Sequence, residues 1–143
     1  MTVQTILSQK GSEVVSIAPT AKVADAIKML CERKIGALVV TGAGGRITGI
    51  VSERDIVRTF GAHGAAALDM PLTDVMTRKV VTCEPNDKMS EIMELMTTGK
   101  FRHLPVLQDD RLVGIVSIGD VVKMRLAQLE HEQDALRDYI QTA

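Results

Sequence analysis

The chain predicts an α/β (α+β) fold in which two pseudo-symmetric β-α-β-β-α repeats pack into one domain between flanking N- and C-terminal helices. The first observation behind this is an internal repeat. Val14–Val40 aligns with Val80–Val106, and Arg46–Thr59 aligns with Arg111–Met124 after a one-residue slip, with fourteen of the 41 aligned positions identical. The second is that both copies pass in the same order from a short apolar run to helical spacing and back to apolar runs. The third is length: 143 residues suit one compact unit, and a single repeat alone would have a thin core.

The elements follow in order. Val3, Ile6 and Leu7 are spaced for a short amphipathic helix that Gly11 would end. Strands are expected at Val14–Ile17 and Val80–Cys83, closed by Pro19 and Pro85. Val23, Ala26, Ile27 and Leu30 then form the buried stripe of a helix, matched by Met89, Ile92, Met93 and Met96. Thr20 and Asn86 suit the caps of these helices. Ala37–Val40 and Leu104–Leu107 read as strands, each turning back through a Gly- or Asp-bearing hairpin into Ile47–Val51 and Leu112–Val116. Ser52 and Ser117 stand where strand gives way to helix. The expected organisation is a lead-in at 1–12, repeats at 13–60 and 74–125 joined by a linker at 61–73, and a tail helix at 126–143. In that tail Leu126, Leu129, Gln133, Leu136 and Ile140 alternate like a heptad seam, for packing on this domain or on a dimer mate.

Composition narrows the function. With no Trp, one Tyr and two Phe, the core must be aliphatic and aromatic platforms for stacking bases are largely unavailable. A net charge of −1 is a poor footprint for nucleic acid. Cys31 and Cys83 form no CxxC pair and read as buried free thiols. No apolar run reaches membrane length and no signal-peptide core is evident, so a soluble cytoplasmic protein is expected, with no membrane partner. His63, His103 and His131 lack metal-binding spacing, and no nucleophile–base pair is present. No catalytic residue, no metal ligand and no enzyme activity are therefore expected.

The polar identities concentrate in GIVSERD at 49–55 and GIVSIGD at 114–120. A strand delivers the serine to a helix start, where unpaired N–H groups and a partial positive charge favour an anion. An aspartate three residues on can accept from vicinal hydroxyls such as those of a ribose. Gly49 and Gly114 permit close backbone approach. Ser-x-x-Asp is also a common helix-capping pattern. The duplication at matching positions favours ligand binding over capping alone.

These features together resemble a tandem CBS-domain pair, the Bateman module, of the stand-alone bacterial type. The resemblance runs from about Val3 to Val122 and rests on the repeat order, both GIVSxxD motifs, DVMT at 74–77 and RHLPV at 102–106. It implies two clefts between the repeats that hold adenosine ligands such as AMP, ADP, ATP, NAD or S-adenosylmethionine, and modules that pair as homodimers. Carried over by position, one cleft would use Asp120 on ribose, Ser117 and Gly119 near phosphate, Lys10 and Ser12 from the lead-in, and Ile35, Gly36 and Ala37 beside adenine. His103 would face phosphate there. The other cleft would use Ser52, Arg54 and Asp55 with Met76, Thr77, Arg78, Phe101 and Arg102.

The two clefts are not copies. Arg54 stands opposite Gly119 in the alignment, Phe101 opposite Ile35, Arg102 opposite Gly36 and His103 opposite Ala37. Added cations favour phosphates beside Asp55; alternatively Phe101 or Arg102 fills that cleft. The resulting expectation is a regulatory module that senses adenosine nucleotides and signals through its conformation or a regulated protein partner. The alternative is a ligand-free interaction module that acts through its dimer and its C-terminal helix.

Overall fold

The computed structural model describes residues 1–99 and 101–142. Helix α1 (Val3–Lys10) is followed by strand β1 (Ser16–Ile17), helix α2 (Val23–Arg33), strands β2 (Ala37–Thr41) and β3 (Ile47–Ser52), and helix α3 (Glu53–His63). Short 3-10 turns at Gly64–Asp69 and Leu72–Asp74 lead to helix α4 (Met89–Gly99), strands β4 (His103–Gln108) and β5 (Arg111–Ser117), and helix α5 (Ile118–Thr142). In the first half β1 pairs parallel to β2, and β2 pairs antiparallel to β3. In the second half β4 pairs antiparallel to β5. A register shift falls at Val40/Thr41 and again at the aligned Val106/Leu107, so the repeat extends to the irregularities of the ladders. The hairpins differ as the alignment slip requires. Asp109 and Asp110 both take positive φ between β4 and β5, whereas the longer first turn places Gly44 and Gly45 at φ 72 and 74.

The halves are joined by exchange of their lead-in segments. Helix α1 precedes the first repeat but packs on the second, where Val3 N–H donates to Asp87 O at 2.9 Å and Gln4 N–H to Pro85 O at 2.9 Å. Val3, Ile6 and Leu7 sit in one apolar cluster with Ile92, Leu104 and Val116. Conversely, the segment before the second repeat packs on the first. Leu72 N–H donates to Ala21 O at 2.9 Å, and Thr77 and Ile50 exchange backbone hydrogen bonds of 2.9 and 3.0 Å. Leu72, Val75 and Met76 belong to the cluster of Val23, Leu38 and Val51. The stretch expected as a plain linker is thus partly core, with Ala67 and Leu72 fully buried.

Several expectations are corrected. Strand Val80–Cys83 is reduced to a single parallel bridge between Cys83 and Val106. In the first repeat Val39 N–H donates to Val15 O at 3.3 Å. The residue aligned with Val39 is Pro105, which has no N–H to give. Among the described residues, only Cys83 N–H to Pro105 O (3.0 Å) and Leu107 N–H to Cys83 O (2.8 Å) hold that edge. Helix α2 starts later than Thr20: Lys22 precedes its first turn, and the Asp25 carboxylate accepts from Lys22 N–H at 3.0 Å. Helix α4 likewise begins at Met89 rather than beside Asn86, with the Glu91 carboxylate accepting from Lys88 N–H at 3.4 Å. Cys31 is exposed rather than buried. The tail from 126 onward is no separate helix but the continuation of α5, because no Gly or Pro interrupts Asp120–Thr142.

Gly49 and Gly114 serve the exchange rather than a ligand. A Cβ at Gly114 would lie 2.6 Å from Leu7 Cδ2 of α1. A Cβ at Gly49 would lie 2.6 Å from Met76 Sδ and 2.9 Å from the Thr77 carbonyl oxygen. A leucine tip can rotate, whereas a hydrogen-bonded carbonyl cannot. Gly49→Ala is therefore expected to cost about 1–3 kcal/mol by overpacking, and Gly114→Ala less. Urea midpoints of the two variants check the order; equal midpoints would show that these contacts do not hold the halves together.

Candidate functional site

Two clefts lie between the halves, one under each GIVSxxD motif. The larger, about 490 Å³, is lined by Lys10, Glu13, Val15, Arg33, Lys34, Ile35, Gly36, Ala37, His103, Ile115, Ser117 and Asp120. The smaller, about 410 Å³, is lined by Ile50, Ser52, Glu53, Arg54, Asp55, Arg58, Thr77, Gly99, Phe101 and Arg102, with Gly36 and His103. Gly36 and His103 border both clefts and form the wall between them. A Cβ on Gly36 would lie 3.4 Å from His103 Nε2, so the missing side chain leaves room for the imidazole beside the backbone there.

Each motif is built by the same local rule. The last strand residue is a serine and the carboxylate three residues later reaches back to it. Ser52 N–H donates to Asp55 Oδ2 at 2.9 Å and Ser117 N–H to Asp120 Oδ2 at 2.8 Å. In return Ser52 Oγ accepts from Asp55 N–H at 3.3 Å, and Ser117 Oγ accepts from Asp120 N–H at 3.1 Å. Both motifs are capping boxes, and the capping also aims each carboxylate at its cleft.

Beyond the caps the two sites diverge. At Asp120 the lead-in contributes Lys10, whose ammonium donates to Asp120 Oδ2 at 2.6 Å and to Ile115 O at 2.8 Å. Among the described residues, no protein group donates a hydrogen bond to Asp120 Oδ1. Burial alone would raise the pKa of this carboxyl. The hydrogen bonds from Lys10 and Ser117 outweigh burial and hold it below the usual carboxylate range. At Asp55 both oxygens are engaged. Oδ1 accepts from Arg58 at 2.6 Å and Thr77 Oγ1 at 3.2 Å, while Oδ2 accepts from Ser52 N–H and Ser52 Oγ. Asp55 is only 4% exposed, so this network compensates a buried charge. The Asp120 cleft therefore offers an acceptor that the Asp55 cleft has already used.

The imidazole of His103 is held below its ordinary pKa chiefly by burial, with Lys10 adding to the shift and Asp120 opposing it. The remaining charges of the larger cleft are at its mouth, where Arg33 pairs with Glu13 at 3.0 Å in solvent. Such an exposed pair contributes little to stability and can rearrange around a ligand.

Most site residues expected from the sequence meet in these clefts: Lys10, Ile35, Gly36, Ala37, His103, Ser117 and Asp120 in one, and Ser52, Arg54, Asp55, Thr77, Phe101 and Arg102 in the other. Four do not. Ser12 faces a separate shallow groove beside Leu7 and Val113. Gly119 lies beyond the edge of its cleft in the first turn of α5. Met76 is buried under Gly49, and Arg78 turns back to donate to Thr73 O at 2.8 Å. Arg33, Lys34, Glu13 and Arg58 were missed. Of these, Arg58 carried a signal, since it lies three residues beyond Asp55 on the same helix. Among the described residues no group of His, Cys, Asp or Glu could hold a metal ion, and no helix is long and apolar enough to cross a membrane.

Duplicated α/β units that exchange their lead-ins and enclose two serine–aspartate clefts define a tandem ligand-binding module. The CBS-domain family model matches residues 8–62 and 72–127, and the chain belongs to that family as a CBS-domain pair. It is 37% identical over 121 residues to the mitochondrial CBS domain-containing protein CBSX3 of Arabidopsis thaliana; the match covers 82% of this chain and 59% of that relative's length. Among solved structures, a CBS-domain containing protein from Agrobacterium tumefaciens aligns with TM-score 0.85 at 45% identity, over 87% of this chain and 92% of that one. The CBS domain pair of protein MJ0100, crystallised with 5′-methylthioadenosine and S-adenosyl-L-methionine, aligns with TM-score 0.80 over 90% of this chain and 98% of that one. At 22% identity it shares the fold.

The depressed Asp120 pKa carries a sign. A carboxyl whose folded pKa lies below its unfolded value of 3.8 contributes stability that is full above that pH and is lost as the pH falls through the folded pKa. Asp120→Asn is expected to flatten this acid limb and, because Asp120 opposes the lowering of the His103 pKa, to move the histidine's own contribution to lower pH. Urea unfolding of both proteins between pH 2.5 and 6 measures it; parallel acid limbs would show that the Lys10 pair does not act in solution.

Proposed function

We propose that this CBS-domain pair is a regulatory module whose Asp120 cleft binds an adenosine nucleotide, with AMP, ADP, ATP and NAD as the candidate class. The observation that carries the reading is Asp120 itself. Its carboxylate is aimed by the cap and held ionised by Lys10, and one oxygen, at a cleft of about 490 Å³, has no donor among the described residues. That volume lies in the range of small-molecule sites. A ribose diol has the two donors this acceptor needs. Val15, Ile35, Ala37 and Ile115 supply apolar walls for a base, and Lys10 and His103 supply charge or hydrogen bonds for phosphate. The adenosine ligands of MJ0100 support the same ligand class.

The Asp55 cleft is the weaker partner in this reading. Its aspartate must first surrender Arg58 or Thr77 before it can accept from a ribose, although Arg54, Arg58 and Arg102 would hold a phosphate. A ligand at Asp120 touches the lead-in, the first repeat and the second repeat together. Occupancy would shift the population of arrangements of the two halves, and that shift is the signal passed on. Val57 and Val122, at aligned positions on α3 and α5, are 70% and 49% exposed, which supports pairing of the module with a second copy.

A thermal-shift series with AMP, ADP, ATP, NAD and S-adenosylmethionine tests the reading, with Asp120→Ala and Asp55→Ala alongside. With a Kd of micromolar order, ligand at a hundredfold excess over Kd stabilises the fold by about 2.7 kcal/mol. Asp120→Ala should abolish the shift and Asp55→Ala should retain it on a lower baseline. No shift with any adenosine ligand in the folded protein would sink the proposal. The His103 imidazole offers an independent readout: in the free protein it should titrate below 6.5. Phosphate-bearing ligands should move the midpoint upward and adenosine should not. An NMR titration that is the same with AMP and adenosine would remove His103 from the phosphate contact.

A further inference from the structure

Helix α5 does two things along its length. Its first turns hold Val121 and Met124 in the core beside α1 and α4. Past Gln128 every described residue of the helix is exposed, through Thr142. Those fourteen residues extend about 20 Å at helical rise. An exposed helix of this kind is normally polar all round, yet this one carries an apolar line. Val122, Leu126, Leu129, Leu136 and Ile140 are 49%, 56%, 42%, 60% and 66% exposed. They alternate as d, a, d, d and a positions of successive heptads, with Gln133 at the intervening a position.

The charges that flank this line specify what covers it. The e positions are Lys123, Glu130 and Arg137, and the g positions are Arg125, Glu132 and Tyr139. In a parallel two-stranded coil each g residue faces the e residue of the next heptad on the other chain. Two identical copies then bring Arg125 to Glu130 and Glu132 to Arg137, opposite charges at every charged contact. In the antiparallel pairing with full overlap, e faces e and g faces g. That arrangement sets Glu130 against Glu130, Glu132 against Glu132 and Lys123 against Arg137, all like charges. Gln133 adds a second selector, because a parallel in-register pair places its amide against the same amide of the other chain, where the two hydrogen-bond. A single polar a position of this kind fixes register and strand number.

We infer that the exposed half of α5 is a dimerisation element, which pairs with the same helix of a second copy as a parallel, in-register two-stranded coil. The inference does not depend on any ligand in the clefts. The seam begins at Val122, which aligns with Val57 of α3, so the coil extends the pairing surface proposed above along the projecting part of α5.

Site-directed cross-linking of the full chain tests it. Cys31 is exposed and is replaced by Ser. Cys83 can stay, since it is buried and its thiol is pushed up to about 12 by burial and Asp87. Leu136→Cys then places a thiol in the seam, and Asp138→Cys places one on the outer face of the same turn; both positions are exposed, so folding is not at stake. Parallel pairing predicts that Leu136→Cys forms the disulfide-linked dimer on the order of tenfold faster than Asp138→Cys, through effective concentration at the seam. Glu130→Lys with Glu132→Lys should slow the linkage, and adding Arg125→Glu with Arg137→Glu should restore it. Equal rates for the two cysteines, or linkage only when Leu126→Cys and Leu136→Cys chains are mixed, would overturn the inference.

Discussion

The exchange of lead-in segments is the constraint on which the rest of this structure depends. Helix α1 completes the core of the second repeat, and the Pro71–Thr77 segment completes the core of the first. Without the exchange, each two- or three-stranded sheet would expose one side of a small aliphatic core, which is too little apolar burial for a unit of that size. The backbone bonds at Asp87, Pro85, Ala21 and Ile50 anchor the two lead-ins. Their C-terminal ends carry Lys10 to Asp120 and Thr77 to Asp55. The contacts that close the fold therefore also furnish the clefts.

Pseudo-symmetry makes the differences between halves informative. Both aspartates cap a helix through the same serine geometry, so the motif alone makes them equal. What separates them is the third partner. A lysine from a helical lead-in reaches Asp120 from one side and leaves an oxygen open. A threonine from an extended lead-in, together with Arg58 from the same helix, saturates Asp55. In a 4% exposed site that saturation is the stable outcome, because an unpaired buried carboxylate is costly. One half of the duplication has spent its acceptor on internal order and the other half has kept it.

The sequence already carried the larger part of this architecture. The apolar spacings place helices α1, α2 and α4, and the hairpins follow from turn chemistry. The aligned Ser–Asp pairs at strand ends located the two capped carboxylates, whereas Arg54, Phe101 and Arg102 marked a difference between the halves without giving its cause, the third partner of each aspartate. The misses have physical causes. Pro105 withdraws a ladder donor across a pairing that sequence alone does not establish, so the strand at Val80–Cys83 shrinks to one bridge. Met76 reads as a cleft residue by position, yet it is drawn under Gly49 because a thioether there fills the gap a glycine leaves. Arg78 finds the Thr73 carbonyl one turn back, a local partner that competes with any ligand.

By itself, the amino-acid order determined the duplication, the secondary-structure order and the two capped aspartates, because each of these is set by contacts within a few residues or by periodicity along the chain. Tertiary structure alone decided which half each lead-in packs on, that Gly49 and Gly114 admit protein rather than ligand, and that Asp120 keeps an open oxygen while Asp55 does not. Those outcomes depend on atoms more than twenty residues apart meeting within hydrogen-bond distance. No local pattern encodes such a meeting until the two cores have closed on each other.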